Sequence, residues 1–342
     1  MAYISFQPHD YFNTLLYTGN GSAGNAQTGV GFQPDWVWYK ARSTTANHGL
    51  FDAVRGTSKQ LYSDTTATEA TYSGVTSFDS DGFTLGTDAG GNGNGVTYVA
   101  WNWRAGNSAG SSNTDGTLNS TVSVNTTAGF SVVTYTGNGS AGATVGHGLG
   151  AVPKMIIEKG RSVTDDWLIY HQQIGNTHGL ALNNTTAATD SDTYFNDTSP
   201  TSTVFTLGNN GKVNTNNGTH VAYCFAEKKG FSKFGSYTGN GNADGSFIYT
   251  GFKPAFILHK RTDNTSGWDL FDNKRLGYNV ANRLLAPNSS DQEATSDKID
   301  ILSNGFKMRT TTGGNYSGAT YIYMAFAEEP LVSSNNIPAT AR

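Results

Sequence analysis

Charge, cysteine and long apolar runs are all scarce in this sequence. Only 14% of the residues are charged, against about 25% in ordinary domains. The net charge of −4 offers no basic stripe for nucleic acid. A single cysteine excludes disulfides within the chain. No apolar run approaches the roughly 20 residues of a membrane-spanning helix, so we expect neither a nucleic-acid partner nor membrane insertion.

Helical periodicity is missing as well. No stretch repeats its apolar residues with a helical period, whereas short apolar runs alternate with clusters of Asn, Gly and Ser. Such a pattern is typical of β-sandwiches and barrels. Aromatic residues make up 12% of the chain, enough core material to argue against disorder. Met1–Gln7 has neither the basic start nor the apolar stretch of a secretory signal, so we expect folding in a cytoplasm.

A repeated phrase, Tyr-Thr-Gly-Asn-Gly, divides the chain into three copies of one unit. In each copy a Pro, a strand, a second apolar run and a closing strand follow the phrase. A residue shared by all copies should serve the fold, and one that differs is free for function. The phrases lie at Tyr17–Gly21, Tyr135–Gly139 and Tyr237–Gly241, the strands after Pro at 36–40, 155–159 and 256–260, and the closing strands at 98–103, 220–225 and 321–326.

One face of each predicted strand carries large apolar residues, which predicts a core-facing row. In the strand after Pro this row contains Trp36 and Trp38, then Met155 and Ile157, then Phe256 and Leu258. The other face of the closing strand is mostly small, which suits close contact with another sheet or neighbour.

We therefore predict an all-β protein of three tandem antiparallel β-sandwich modules, of jelly-roll or concanavalin-like type, each with its core between two sheets. The first module spans residues 1–106. The second spans 107–229 and opens with a Ser- and Gly-rich linker at 107–120. The third spans 230–342 and ends in an extended tail from Leu331.

Two motifs resemble ligand-binding loops, one for a dinucleotide and one for calcium, but both are better explained as turns. Gly19–Gly24 and Gly137–Gly142 fit the dinucleotide fingerprint G-x-G-x-x-G, but no helix pattern follows and Asp244 replaces the last Gly in the third copy. We interpret the phrase as an Asn-Gly hairpin turn with positive φ. Asp79–Gly82 resembles the start of a calcium loop but lacks the closing Glu, so a turn is again expected.

Catalytic and metal-binding patterns do not emerge. Cys224 aligns with Asn102 and Ala325 on a small-residue face, which favours a structural thiol. The carboxylate pairs Asp165 with Asp166 and Glu328 with Glu329 are candidates for a glycosidase, but neighbouring strand residues point to opposite faces. No close pair of histidines forms a metal motif. We predict no enzyme activity, no cofactor and no metal, and keep a carbohydrate-active enzyme as an alternative.

A lysine is shared by all three copies, at Lys40, Lys159 and Lys260, with Arg42, Arg161 and Arg261 just beyond. Two interpretations stay open. A structural lysine would pair with an acid such as Asp52 or Asp272. A functional lysine would bind an anionic ligand at three repeated sites.

Taken together, the longer motifs resemble a group of virion structural proteins from marine tailed phages. The motifs are the repeated phrase, Gly31–Asp35, Phe51–Gly56, Asp81–Gly86, Val145–Gly150 and Tyr321–Glu328. The resemblance covers nearly the whole chain. It implies a virion location and concanavalin-like or SPRY-like sandwich modules, and it supplies no site residues.

Two functions fit such a protein. A tail-fibre or receptor-binding component would contact a host surface glycan through aromatic and Asn-rich loops. A head or tail decoration protein would contact only its neighbours. Receptor binding predicts exposed aromatic clefts and a homo-oligomer, with a trimer as the form to test. The partners would be other virion proteins of the tail or capsid. The ligand-binding candidates are Trp167, Tyr194, Trp268 and Tyr316, with burial in the module core as the competing interpretation for Trp167 and Trp268.

Overall fold

The computed structural model describes residues 4–329, 332, 333 and 335, and in them the chain is all-β with antiparallel sheets. Its three α-helices have four residues each. The prediction of an all-β fold is therefore confirmed. A 3-10 turn at Pro8–Asp10 follows the first strand.

The first copy contains ten strands and one helix. They are β1 Ile4–Phe6, β2 Phe12–Thr18, β3 Asn25–Thr28, β4 Trp36–Ala41, β5 Gly49–Asp52, β6 Lys59–Gln60, β7 Ala70–Thr71, β8 Val75–Asp79, β9 Gly82–Leu85, α1 Ala89–Asn92 and β10 Thr97–Trp103.

The second copy contains ten strands and two helices. They are β11 Ser111–Asn113, β12 Ser120–Asn125, β13 Phe130–Thr136, β14 Ala143–Gly146, β15 Met155–Gly160, β16 Leu168–His171, β17 Gly175–Ala181, β18 Thr189–Asp190, α2 Asp192–Phe195, β19 Val204–Leu207, α3 Gly211–Asn214 and β20 Thr219–Phe225.

The described part of the third copy contains nine strands. They are β21 Ser232–Thr238, β22 Phe247–Tyr249, β23 Pro254–Arg261, β24 Trp268–Asp272, β25 Ala281–Leu284, β26 Ala294–Leu302, β27 Gly305–Met308, β28 Thr320–Ala327 and β29 Val332–Ser333. The last of these pairs with β1, so the two ends of the described chain meet.

Each copy has a four-strand unit with the same order, which we call its inner sheet. The orders are β2-β10-β4-β5, β13-β20-β15-β16 and β21-β28-β23-β24. The second unit lies inside an eight-stranded sheet that β11, β12, β17 and β18 extend. The registers also agree, because Trp101 opposes Trp38, Tyr223 opposes Ile157 and Met324 opposes Leu258.

A second, outer sheet packs on each inner sheet, which gives each copy a sandwich-like arrangement. The outer sheets are β3-β9-β8, β14-β19 and β22-β27-β26-β25. In the first copy, Val37 and Ala100 of the inner sheet share an apolar cluster with Phe83 and Leu85 of the outer sheet. In the closing strands, the face that meets the outer sheet carries the small residues Ala100, Ala222 and Ala325.

The large apolar row faces the other way, into a junction between the three copies that we call the central core. Trp36 stacks on Tyr223 of the second copy, with ring centroids 4.3 Å apart. Phe12 stacks on Phe326 of the third copy at 5.4 Å, and Phe225 lies 5.8 Å from Phe326. Our prediction that this row lies between the two sheets of one module is therefore wrong. Alternation distinguishes the faces of a strand but does not identify what covers each face.

A bridging segment from each copy closes this arrangement into a ring. Residues 62–69 of the first copy lie on the second copy, 181–188 of the second lie on the third, and 286–293 of the third lie on the first. The backbone bonds repeat at the three interfaces: Glu69 N–H to Arg161 O, Ala188 N–H to Thr262 O and Glu293 N–H to Arg42 O, at 2.8, 2.8 and 2.9 Å. The copies are thus not independent units along a chain.

The segment predicted as a linker, 107–120, is built into the structure. Asp35 accepts backbone hydrogen bonds from Ala105, Asn107 and Ser108. Residues 111–113 then form β11, which pairs with β12.

Candidate functional site

A charged triad lies at two of the three interfaces. Between the first and second copies, Glu69 accepts from Arg55 at 3.1 Å and from Arg161 at 2.9 and 3.0 Å. Arg55 is buried and also pairs with Asp52. Between the third and first copies, Glu293 holds Arg275 at 3.4 Å and Arg42 at 2.9 and 3.1 Å. Each triad fills its interface with paired charge.

At the remaining interface, between the second and third copies, all three charged positions are replaced. Ile174 stands where the register places Arg55 and Arg275, Ala188 replaces the Glu, and Thr262 replaces Arg42 and Arg161. Since three short side chains replace three long ones, an open cleft of about 340 Å³ remains here. Ile174, Ala188 and Thr262 line it together with His178, Ala187 and Asp263. Small-ligand sites occupy about 300–1,000 Å³.

The cleft combines an apolar wall with a polar rim. Ile174, Ala187 and Ala188 supply methyl and methylene surface, whereas His178, Thr262 and Asp263 supply hydrogen-bonding groups. The Nδ1 atom of His178 lies 2.7 Å from the hydroxyl of Thr177. The arrangement suits a ligand with one apolar face and several hydroxyl groups.

Arg261 connects the cleft to an exposed aromatic ring. Its Nε donates to Asp263 at 2.7 Å, and its guanidinium lies 5.2 Å from the ring centre of Tyr316. That hydrogen bond lowers the pKa of Asp263, so the carboxylate is ionised at neutral pH. Tyr316 is 41% exposed. Asp263, Arg261 and Tyr316 therefore form a continuous polar and aromatic platform beside the cleft.

Of the four predicted ligand-binding residues, Trp167 and Trp268 are placed in the interior. Trp167 is 0% and Trp268 1% exposed. Each indole N–H donates across an interface, from Trp167 to Tyr62 O at 2.7 Å and from Trp268 to Ala181 O at 2.9 Å. His48 does the same in the first copy, with Nε2 3.0 Å from Ala286 O. The structure thus corrects the ligand-binding prediction for both tryptophans: their rings belong to the central core.

Tyr194 and Tyr316 differ in their accessibility. Tyr194 is 9% exposed and packs in the apolar cluster of the second copy, so its ring has little surface to offer a ligand. Lys212 lies 5.7 Å from that ring and pairs with Asp166. Tyr316 is exposed, and its ring contacts Arg261, which pairs with the cleft residue Asp263. Of the four, Tyr316 is therefore the one that the structure connects to the candidate site.

The shared lysines hold the bridging segments. All three are fully buried. Each ammonium donates to the carbonyl of its own next residue and to a carbonyl of a bridging segment. The bridging acceptors are Ser290 for Lys40, Thr66 for Lys159 and Thr185 for Lys260. Burial lowers the pKa of each lysine to about 8. Pairing with Asp52 or Asp272 is wrong, because those carboxylates bind Arg55 and Arg275.

Arg261 was misplaced in the predicted series of arginines. In the register, Thr262 occupies the position of Arg42 and Arg161, and Arg261 lies one residue earlier, on the opposite face. This one-residue offset moves the guanidinium from the interface to the platform. The offset is visible in the sequence, because the shared lysine begins Lys-Ala-Arg in the first copy, Lys-Gly-Arg in the second and Lys-Arg-Thr in the third.

The repeated phrase is a structural turn fixed by a buried Asn. In the second copy, Asn214 accepts from Asn138 N–H at 2.9 Å and donates to Ser140 O and Gly208 O. Asn92 and Asn315 do the same in the other copies. The second Gly of the phrase has φ of 66–73° in every copy, as predicted. The turn joins inner and outer sheets, so it is not a hairpin and it precedes no helix.

The other residues considered as catalytic or metal-binding candidates make structural contacts or are buried. Cys224 is buried, and burial raises the pKa of its thiol well above the usual value. Asp166 pairs with Lys212, and Glu328 with Lys274. Asp81 accepts from the N–H groups of Gly29 and Gly31, as a turn residue does. Across the described residues, no group of three or more His, Cys, Asp or Glu side chains could hold a metal ion.

The fold and the cleft define an all-β, sandwich-like protein with one asymmetric interface. The chain belongs to the family described as domain of unknown function (DUF7483), whose model matches residues 7–330. No curated protein and no solved structure matches the chain. No helix within the described residues has the length and apolar character to cross a membrane.

Proposed function

We propose that this chain is a non-enzymatic structural protein of a tailed-phage virion that binds a host surface glycan in the cleft between its second and third copies. We further propose that the three copies are sandwich modules of the jelly-roll or concanavalin-like type. The virion assignment is supported by the resemblance of the longer sequence motifs to those of marine phage virion proteins. The glycan assignment is supported by the cleft.

One observation carries the binding proposal: the charged triad is lost at one interface only. The two intact triads are the internal comparison, since their charged side chains pair with one another at the interface. Ile174, Ala188 and Thr262 replace all three charges and together line a cleft of about 340 Å³, whereas Glu69 and Glu293 form ion pairs at the equivalent position of the other two interfaces. Comparison of the three copies therefore distinguishes the cleft, whose residues are free for function, from the interfaces that hold the fold together.

The surface of the cleft matches the chemistry of a sugar ring. A pyranose has an apolar face of C–H groups and an edge of hydroxyls. The C–H face can pack on the apolar wall or on Tyr316, and the hydroxyls can donate to Asp263 or accept from Arg261. The pair Asp263–Arg261 also holds both groups in place before a ligand arrives, which reduces the entropic cost of binding.

The same geometry favours binding over hydrolysis. Glycoside hydrolysis uses two carboxyl groups about 5–10 Å apart on either side of the scissile bond. Among the residues that line the cleft, Asp263 is the one carboxylate, and it is paired with Arg261. The cleft thus contains recognition groups without the second carboxyl.

The test is to close the cleft and measure glycan binding. The double variant Ala188→Glu/Thr262→Arg rebuilds the Glu–Arg pair that Glu69 and Arg161 form. We expect the wild-type protein to bind a bacterial surface polysaccharide on a glycan array, and the double variant to lose at least about tenfold in affinity by calorimetry. Its melting temperature should stay the same or rise.

A matched pair of aromatic variants separates the cleft from the general surface. Tyr316→Ala should weaken binding about tenfold, since it removes a stacking surface. Tyr278→Ala removes a more exposed ring (72% against 41% for Tyr316) from another part of the third copy and should leave the affinity unchanged. Unchanged binding in the cleft-closing variant would refute this site. Absence of any glycan ligand would favour the decoration role, in which virion proteins of the tail or capsid are the partners and oligomerisation, as a trimer or otherwise, creates the contacts.

A further inference from the structure

The first strand of each outer sheet lies at a sheet edge, and the three copies differ in what covers that edge. Strand edges present unpaired N–H and C=O groups that other chains can bind, so proteins cover or blunt them. The three equivalent edge strands are β3, β14 and β22. In the first copy, β3 is polar, with the sequence Asn-Ala-Gln-Thr. Polar edges of this kind discourage pairing.

In the second copy the chain itself covers the edge. Residues 116–120 lie along β14, and Leu118 bridges Val145 in the parallel direction. Leu118 N–H donates to Thr144 O at 2.9 Å, and Thr144 N–H donates to the Thr117 hydroxyl at 2.8 Å. Gly116 permits the close approach, because a Cβ there would lie 2.4 Å from Thr144 O.

In the third copy the same edge is bare and aromatic. Phe247 aligns with Thr144 in the register, and Tyr249 with Gly146. Phe247 is 49% and Tyr249 64% exposed. Met308 N–H donates to Ser246 O and Thr250 N–H to Asn304 O, so the alternation of an antiparallel pair turns the backbone groups of Phe247 and Tyr249 outward. No described residue bonds to those outward groups.

We propose that the free edge of β22 binds an extended segment of a partner protein by parallel strand addition. The second copy shows the occupant's chemistry: a Gly, a hydroxyl residue and an apolar residue in extended conformation, as in Gly116-Thr117-Leu118. The backbone of such a segment completes the ladder, and its side chains pack beside Phe247 and Tyr249, because cross-strand neighbours of an aromatic ring add stability. This surface lies outside the cleft and does not depend on glycan binding.

The test uses a labelled peptide with the sequence of residues 114–120, Thr-Asp-Gly-Thr-Leu-Asn-Ser, and the full chain. Fluorescence anisotropy gives its affinity for two variants of the same residue. Phe247→Thr restores the residue type found at Thr144 and keeps the outward N–H. Phe247→Pro removes that N–H and leaves the bonds between β22 and β27 intact, since an edge strand tolerates Pro where its N–H faces solvent.

We expect wild type and Phe247→Thr to bind the peptide within a few-fold of each other, and Phe247→Pro to bind about tenfold more weakly. Tyr278→Ala, which removes an exposed ring elsewhere, should bind like wild type. No binding at millimolar peptide, or equal binding by the Thr and Pro variants, would overturn the proposal. Dimerisation of the protein alone that Phe247→Pro abolishes would make a second copy the occupant and would overturn it as well.

Discussion

Glu158 should carry a proton in the folded protein at neutral pH. It is fully buried between the sheets of the second copy, and its Oε2 lies 2.9 Å from the Tyr135 hydroxyl. That hydroxyl is also 2.7 Å from Val213 O. Tyr135 has one proton and cannot donate to both acceptors.

The repeat indicates where that proton goes. Tyr17 and Tyr237 are the equivalents of Tyr135, and each donates to the carbonyl of the residue before the turn-fixing Asn, as Tyr135 can to Val213. If Tyr135 does the same, its oxygen must accept from Glu158, which requires a protonated carboxyl. Burial raises the pKa of Glu158 to about 8, in agreement with this assignment.

The direction in which stability changes with pH follows from the difference in the pKa of Glu158 between the folded and unfolded states. Between the unfolded pKa of 4.5 and the folded value of about 8, the native state holds a proton that the unfolded state has lost. The free energy of unfolding therefore falls as pH rises through this window, by about 1.4 kcal/mol per pH unit. Glu158→Gln has no such proton, so relative to this variant the wild type should lose roughly 2–3 kcal/mol between about pH 5.5 and pH 7.5.

Urea denaturation at several pH values measures this difference. Two nearby groups also titrate: burial lowers the pKa of His220, which stacks on Tyr135, to about 4, and burial raises the pKa of Cys224. Wild type and Glu158→Gln both contain these groups, so the comparison of the two proteins isolates Glu158. Glu329→Gln changes an exposed carboxylate and serves as the control. Parallel pH profiles for wild type and Glu158→Gln would contradict a protonated Glu158 in the folded protein.

Three further predictions concern the scaffold. Trp36→Ala should lower the free energy of unfolding by about 3–5 kcal/mol in urea titrations, because it leaves a cavity where three copies meet; a loss below about 1 kcal/mol would contradict the central core. Asn214→Ala should cost about 2–3 kcal/mol, since it leaves buried turn groups without partners, whereas Asn119→Ala, the exposed control, should be neutral by the same assay. Cys224 should resist a thiol reagent until the protein unfolds, and rapid labelling of the native state would show that its strand is accessible.

The strands themselves were predictable. The closing strands predicted at 98–103, 220–225 and 321–326 are observed as β10, β20 and β28, with ends that agree within one residue. The alternation of large and small side chains is a local property, and Pro and Gly mark the turns that interrupt it. Repetition of the pattern in three copies made the assignment firmer than any single copy could.

The assembly of the copies was not predictable in the same way. Trp36 and Trp38 were correctly assigned to a buried face, but the sequence does not say whether a second sheet or another copy covers that face. The contacts across the ring join residues as far apart as Arg42 and Glu293. Such pairs carry no local pattern, and a single sequence offers no covariation that would reveal them.

The cleft could have been found in part. The bridging segments align as Thr66–Glu69, Thr185–Ala188 and Ser290–Glu293, which exposes Ala188 as the exception. The alignment was missed because these segments have no regular strand pattern to anchor it. The second exception is Thr262 at the position of Arg42 and Arg161. It was missed because Arg261, next to the shared lysine, was assigned to the series of arginines instead.

The claim that this chain acts on the surface of a phage particle is tested most directly by immunogold labelling of intact particles with an antibody against it. We expect gold at the tail tip or fibres, where a glycan-binding cleft would meet the host. Gold spread over the head would make the chain a decoration protein and contradict the receptor-binding role. Particles without any gold would contradict the virion assignment itself.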